Sequence, residues 1–186
     1  MKRERKWDAV WFGAAFGLVL LAVLALALAA ALSLWSWGFS RGLPEVLGVD
    51  ASRAREASRW DLHGGFHGDG TAYWEIAFSP EEAALLEAFL PVKEGWQPLP
   101  VDGDAQILLY GTEQREGDAV YAAGPYLTGQ DGEALLPLVE EGYWFFYDKQ
   151  TKGYDAAGAL GQPSQNFIAA VYDSRTHTLY CGELDT

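Results

Sequence analysis

The sequence predicts an α+β protein: an N-terminal transmembrane helix, then a small domain with a mainly antiparallel sheet and one or two helices. Three observations lead there. Residues 9–40 carry no charged side chain, the C-terminal third is rich in aromatic and alternating apolar runs, and a well-capped helical segment lies between them. The expected division is a basic cytoplasmic N-terminus at 1–8, an anchor helix at 9–40, a short linker at 41–50 and an extracytoplasmic α+β domain at 51–186.

The anchor is argued from length and flanks. Crossing a hydrocarbon core takes about 20 apolar residues, and Val10 to Leu34 exceeds that. Trp7 and Trp11 stand at one end, Trp35 and Trp37 at the other, where indole rings favour a membrane–water interface. Lys2, Arg3, Arg5 and Lys6 precede the stretch and only Arg41 closely follows it. That asymmetry predicts a single pass with the N-terminus inside and the C-terminal domain outside. A cleaved secretory signal is the alternative, with Ala27-Leu28-Ala29 as the cleavage-like site; a signal's apolar region is usually shorter. The lipid bilayer is therefore an expected partner. Gly13 and Gly17 form a G-x-x-x-G pair, which allows close helix–helix approach and suggests a homodimer or a protein partner there.

The domain's elements follow in order. Residues 51–62 are ambiguous: Asp50 can cap a helix, yet Ala54, Ser58, Trp60 and Leu62 can also alternate as a strand. Four glycines between His63 and Gly70 predict a loop. Thr71 to Phe78 alternates as a strand, with Ala72, Trp74, Ile76 and Phe78 on one face. Ser79, Pro80 and Glu82 form a helix start. Ala83, Leu85, Leu86 and Phe89 give that helix its buried side, and Pro91 ends it. Trp96 to Pro100 is extended, Asp104 to Tyr110 is a short helix or a strand, and 112–141 reads as loop with a weak apolar run at Ala134–Val139. Tyr143 to Tyr147 is aromatic on both faces, as in a strand covered on each side. Gly153 to Pro163 reads as a loop, and Phe167–Tyr172 with Thr178–Cys181 as a hairpin about a polar turn.

Charge narrows the function classes. Setting aside the four basic and two acidic residues of the first eight leaves nine basic and 24 acidic residues, a net of −15. So acidic a surface repels phosphate backbones, which argues against nucleic acid as a partner. Cys181 is the only cysteine, so no intrachain disulfide forms and the core must hold the domain. No G-x-S-x-G is present, and Ser79 and Ser164 have no adjacent base.

One segment has the residue types for chemistry. Asp61, His63, His67 and Asp69 lie within nine residues, interleaved with glycines. Imidazole with carboxylate suits zinc or another divalent ion. The spacing is not that of a helical metal motif, and a tight loop with its histidines hydrogen-bonded locally is the alternative. Asp61-Leu62-His63-Gly64 imitates the first element of metallophosphoesterases, but the later elements are missing. No cofactor is otherwise implied.

Asp61 with His63 to Gly70, then Tyr172-Asp173-x-x-Thr176-x-x-Leu179-Tyr180 and the terminal Asp185-Thr186, resembles a group of small bacterial single-pass membrane-anchored proteins of uncharacterised activity. The likeness runs from about residue 44 to 186, with D-x-H-G-G-F-H-G-D-G its most specific element. Leu62 departs from it, standing where a small polar residue is expected. The resemblance implies a cell-envelope setting and assigns no catalytic residue. The functional expectation is a membrane-anchored, noncatalytic binding or accessory domain. The alternative is a metal-dependent enzyme centred on His63, His67 and Asp69.

Overall fold

A computed structural model of the chain describes residues 17–28, 42–64, 68–101, 103–117 and 119–186. Six strands make one antiparallel sheet in the order β1-β2-β8-β7-β6-β3. They are β1 (Glu56–Asp61), β2 (Gly70–Ala77), β3 (Trp96–Pro98), β6 (Gly142–Asp148), β7 (Phe167–Asp173) and β8 (Thr178–Asp185). A separate two-stranded ribbon pairs β4 (Thr112–Glu116) with β5 (Ala119–Ala123). Among the described residues of Leu43–Thr186, three α-helices accompany them: α1 (Pro80–Phe89), α2 (Gly103–Tyr110) and α3 (Ala156–Leu160).

Both faces of the sheet are covered, and β7 is buried at all seven positions. One face presents Trp144, Phe146, Phe167, Ala169, Val171 and Leu184 to α2, α3 and the segment around Leu127 and Leu136. The other carries Trp74, Ile76, Phe145, Ala170, Tyr172, Leu179 and Cys181, all buried. On that side α1 lies over Tyr172, whose hydroxyl donates to Glu87 at 3.1 Å. Each fully buried large apolar side chain contributes about 1.5–3 kcal/mol.

The α+β class and the antiparallel sheet are as predicted. Ser79 caps α1 by accepting from the Glu82 N–H at 3.3 Å, and Pro80 occupies its first turn. The ambiguity at 51–62 resolves into both readings in succession. Asp50 accepts from Ser52 N and caps a short 3-10 turn at Ala51–Arg53; β1 then begins at Glu56. Leu43 and Leu47, inside the stretch read as a linker, are buried, and the Trp96 indole donates to the Leu47 carbonyl at 3.1 Å. Two expected loops contain structure: 112–141 holds the β4–β5 ribbon, and Gly153–Pro163 holds α3.

The transmembrane span is a correction. Among the described residues, no helix is long and apolar enough to cross a membrane. The part of the expected span that lies within the described residues, 17–28, covers about 18 Å at ~1.5 Å per residue, against a hydrocarbon core of about 30 Å. Freedom from charge is necessary for a span, but it does not by itself establish a helix of that length. The expected single-pass topology and the extracytoplasmic placement fall with the span. Trp7, Trp11, Trp35 and Trp37 lie outside the described residues, as does Gly13; Gly17 is helical, and among the described residues nothing lies within 4 Å of the Cβ it lacks. The chain divides into two compact units, Met1–Gly42 and Leu43–Thr186.

Candidate functional site

The suspected segment becomes one corner of an ion network at the end of the sheet. Register explains which residues meet. Asp61 on β1 faces Ala72 on β2, and Ala72 in turn faces Glu183 on β8, while Gly70 faces Asp185. Asp61, Glu183 and Asp185 thus share one face, with only alanine and glycine between them on β2. Lys149 follows β6 directly and reaches the same corner.

Within it, Asp61 Oδ1 accepts from the His63 backbone N–H at 3.0 Å and lies 2.8 Å from His63 Nδ1. Its other oxygen accepts from Arg59 at 2.8 Å. These bonds, the His63 backbone N–H first, hold the Asp61 carboxyl below its usual range. On the far side of the ring, Nε2 lies 3.3 Å from Asp185 Oδ2. That contact has ion-pair distance but poor alignment, and Nε2 is sealed from solvent without a hydrogen bond. Lys149 Nζ donates to Glu183 at 2.6 Å and to both oxygens of Asp185 at 2.7 Å. Burial alone would lower the Lys149 pKa, but its bonds to Asp185 and Glu183 outweigh that and raise it. The Arg59 guanidinium sits 5.3 Å from the centre of the buried Trp74 ring.

Glycine makes this geometry accessible. A Cβ on Gly70 would stand 2.5 Å from His63 Cα and 2.7 Å from the Leu62 carbonyl oxygen. Only a residue without one lets the chain after β1 fold back over β2, carrying His63 towards Asp185. Thr186 fixes the other side: its hydroxyl accepts from Gln165 N at 2.7 Å, and its N–H donates to Asn166 at 3.0 Å.

Of the four predicted ligands, Asp61 and His63 meet, Asp69 is exposed with its carbonyl bonded to Gly64 N, and His67 lies outside the described residues. The two carboxylates on His63 attach to opposite ring nitrogens. That suits two polar contacts rather than several donors converging on one ion. Among the described residues, no group of three or more His, Cys, Asp or Glu side chains is placed to hold a metal ion. Arg59, Lys149, Glu183 and Asp185 were not among the sequence candidates. A signal existed for two of them: Glu183 and Asp185 continue, at every second residue, the stripe begun by buried Leu179 and Cys181. Carboxylates on a core-facing stripe require a cation nearby.

Other quoted residues are turn-builders. Asp173 accepts from the N–H of Arg175 at 2.8 Å and of Thr176 at 3.4 Å, shaping the β7–β8 hairpin. Asp148 does the same after β6 for Gln150 N and Thr151, and takes Gln162 Nε2 at 2.8 Å.

The opposite face of β1 differs. There Trp60 stacks on Tyr73 at 5.7 Å, and with Leu62, Gln130, Asp131 and Leu135 it lines an open groove of about 530 Å³. The groove's far wall is braced by its own turn, in which Glu133 N donates to Asp131 at 3.1 Å and Gly129 N to the Glu133 carbonyl at 2.9 Å. No family model, curated protein or solved structure matches the chain, so its functional reading rests on this geometry.

Proposed function

We propose that Leu43–Thr186 is a noncatalytic binding domain, in which the ion network braces the end of β1 and the groove beside Trp60 and Leu62 receives the ligand. One observation carries the reading: both ring nitrogens of His63 already face carboxylates, and Nε2 is sealed from solvent. A general base must present a nitrogen within hydrogen-bond reach of the proton it takes. Here the reactive side chains face one another instead. The groove offers an aromatic ring, an exposed Leu62 and acidic Asp131, which suits an uncharged or basic, partly apolar segment.

The competing reading is a metal-dependent enzyme, and metal analysis separates the two. The full chain, equilibrated with zinc and manganese and then dialysed, is expected to retain neither in stoichiometric amount. Retention of about one equivalent, lost in a His63→Ala/His67→Ala double variant, would overturn the proposal in favour of metal chemistry.

A further inference from the structure

The β4–β5 ribbon stands apart from the main sheet. The chain leaves α2 at Gly111 and returns at Gly124, and the two glycines touch. A Cβ on Gly111, at φ +75°, would lie 2.8 Å from the Gly124 carbonyl carbon, and Gly124, at φ +64°, has no room for one against the Ile107 carbonyl. The arm therefore springs from a built neck. Beyond it, Ala119 to Ala122 are exposed, with Val120 at 55% and Tyr121 at 61%.

Two features of β5 are unusual together. A two-stranded ribbon is marginally stable alone in water, and a third strand or a packed face normally completes it. Edge strands normally carry charge, proline or a bulge against unwanted pairing; β5 reads Ala-Val-Tyr-Ala-Ala and carries no charge or proline. The chain as a whole has a net charge of −13, so two copies repel over most of their surface. β5 itself adds no charge to that repulsion.

We propose that β5 is a self-association edge: two copies of the chain pair β5 to β5, antiparallel and centred on Tyr121, joining their ribbons into one four-stranded sheet. The register is self-complementary. Ala119 opposes Ala123, Val120 opposes Ala122, and Tyr121 opposes its own copy, so no like charges face each other. Alternate residues of β5 aim their backbone groups away from β4, and a two-fold axis at the central residue satisfies whichever set points outward. β4, with Glu113, Arg115 and Glu116 in its sequence, offers no such neutral edge. The inference goes beyond the binding proposal and does not depend on it.

Sedimentation of the full chain across protein concentration tests it. Wild type is expected to dimerise reversibly. Tyr121→Lys and Tyr121→Glu each place like charges on the axis and should weaken the dimer at least about tenfold, while an equimolar mixture of the two regains it as a heterodimer. Tyr121→Cys should cross-link to its copy on oxidation, since native Cys181 is buried and does not compete. A wild type that stays monomeric throughout, or a dimer that Tyr121→Lys leaves intact, would overturn the proposal. Neither result would bear on the metal analysis that tests the binding reading.

Discussion

Strands β5 and β7 have nearly the same vocabulary and opposite surroundings. β5 reads Ala-Val-Tyr-Ala-Ala and is exposed at four of five positions; β7 reads Phe-Ile-Ala-Ala-Val-Tyr-Asp and is buried at all seven. β7 has strands on both edges and layers on both faces, whereas among the described residues β5 has one neighbour. Small, β-branched and aromatic residues suit a pleated strand in either place, so composition alone does not assign burial. What separates the two is how many partners the topology supplies. The contrast is sharpest energetically. Phe167→Ala at the start of β7 removes a ring packed 5.1 Å from Phe146 with no exposure, and should cost about 3–5 kcal/mol in urea unfolding. Val120→Ala in β5, measured at dilute protein, should change stability by less than about 0.5 kcal/mol. Similar losses from both would show that the ribbon belongs to the core.

The ribbon's own two glycine turns extend the comparison. Gly124 is wedged at the neck against Ile107, while Gly117 at the tip, φ +62°, has open space around it. Gly124→Ala combines a left-handed backbone cost of about 1–2 kcal/mol with a clash against α2, so global stability should fall by at least that amount. Gly117→Ala meets the backbone cost alone, in a ribbon separate from the main sheet, and a segment of that kind is expected to open without the core. Amide exchange should therefore quicken in residues 112–123 while the global unfolding midpoint stays put. A midpoint shift at Gly117 as large as that at Gly124 would contradict an arm that opens independently.

The same contrast explains what the sequence makes legible. β7 and β8 are readable because the hairpin is local, with Asp173 as turn-builder and long apolar runs on either side. The Ser79–Glu82 cap is readable for the same reason. The ribbon was hidden inside a segment read as loop. β4 is mostly polar, and β5 is exposed on both faces, so neither shows the one-sided alternation that marks a strand on a core. The candidate site was half legible. Asp61 and His63 are neighbours in sequence, but Glu183, Asp185 and Lys149 join them through strand order, which local patterns do not encode. The span is corrected for a different reason: residues 9–40 carry no charge, and freedom from charge does not by itself make a helix of membrane length.

Tyrosine offers a finer comparison, because both strands contain one. Tyr172 is fully buried and donates to Glu87, whereas Tyr121 is largely exposed. Burial first, then the Glu87 carboxylate, pushes the Tyr172 hydroxyl above its ordinary pKa. Tyr172→Phe deletes one part-buried hydrogen bond to a charged group and should cost roughly 1–2 kcal/mol. Tyr121→Phe should cost nothing measurable in the monomer. Equal midpoints for wild type and Tyr172→Phe would mean that the bond to Glu87 adds nothing beyond what water supplies.

The smallest effect concerns the ion network, which ties β8, the neighbour of β7, to β1 and to the turn after β6. Its members are partly exposed, so solvent screening keeps each contribution modest. Two shifts fix the pH windows. Asp61 has a lowered folded-state pKa, so its contribution is complete above the unfolded value of about 3.9 and is lost as pH falls through the folded one. Lys149 has a raised folded-state pKa, so its contribution is complete below about 10.4 and is lost as pH rises through the folded value. His63→Ala keeps the backbone N–H that Asp61 relies on most and removes only the ring contact, so the acid limb of the urea midpoint should become shallower without vanishing. Lys149→Met removes the alkaline contribution altogether and leaves Glu183 and Asp185 facing each other, so its profile should start lower and flatten above about pH 10. An alkaline limb as steep in Lys149→Met as in wild type would mean that the ammonium adds no stability to this corner, and that the backbone ladder from β1 to β8 holds it unaided.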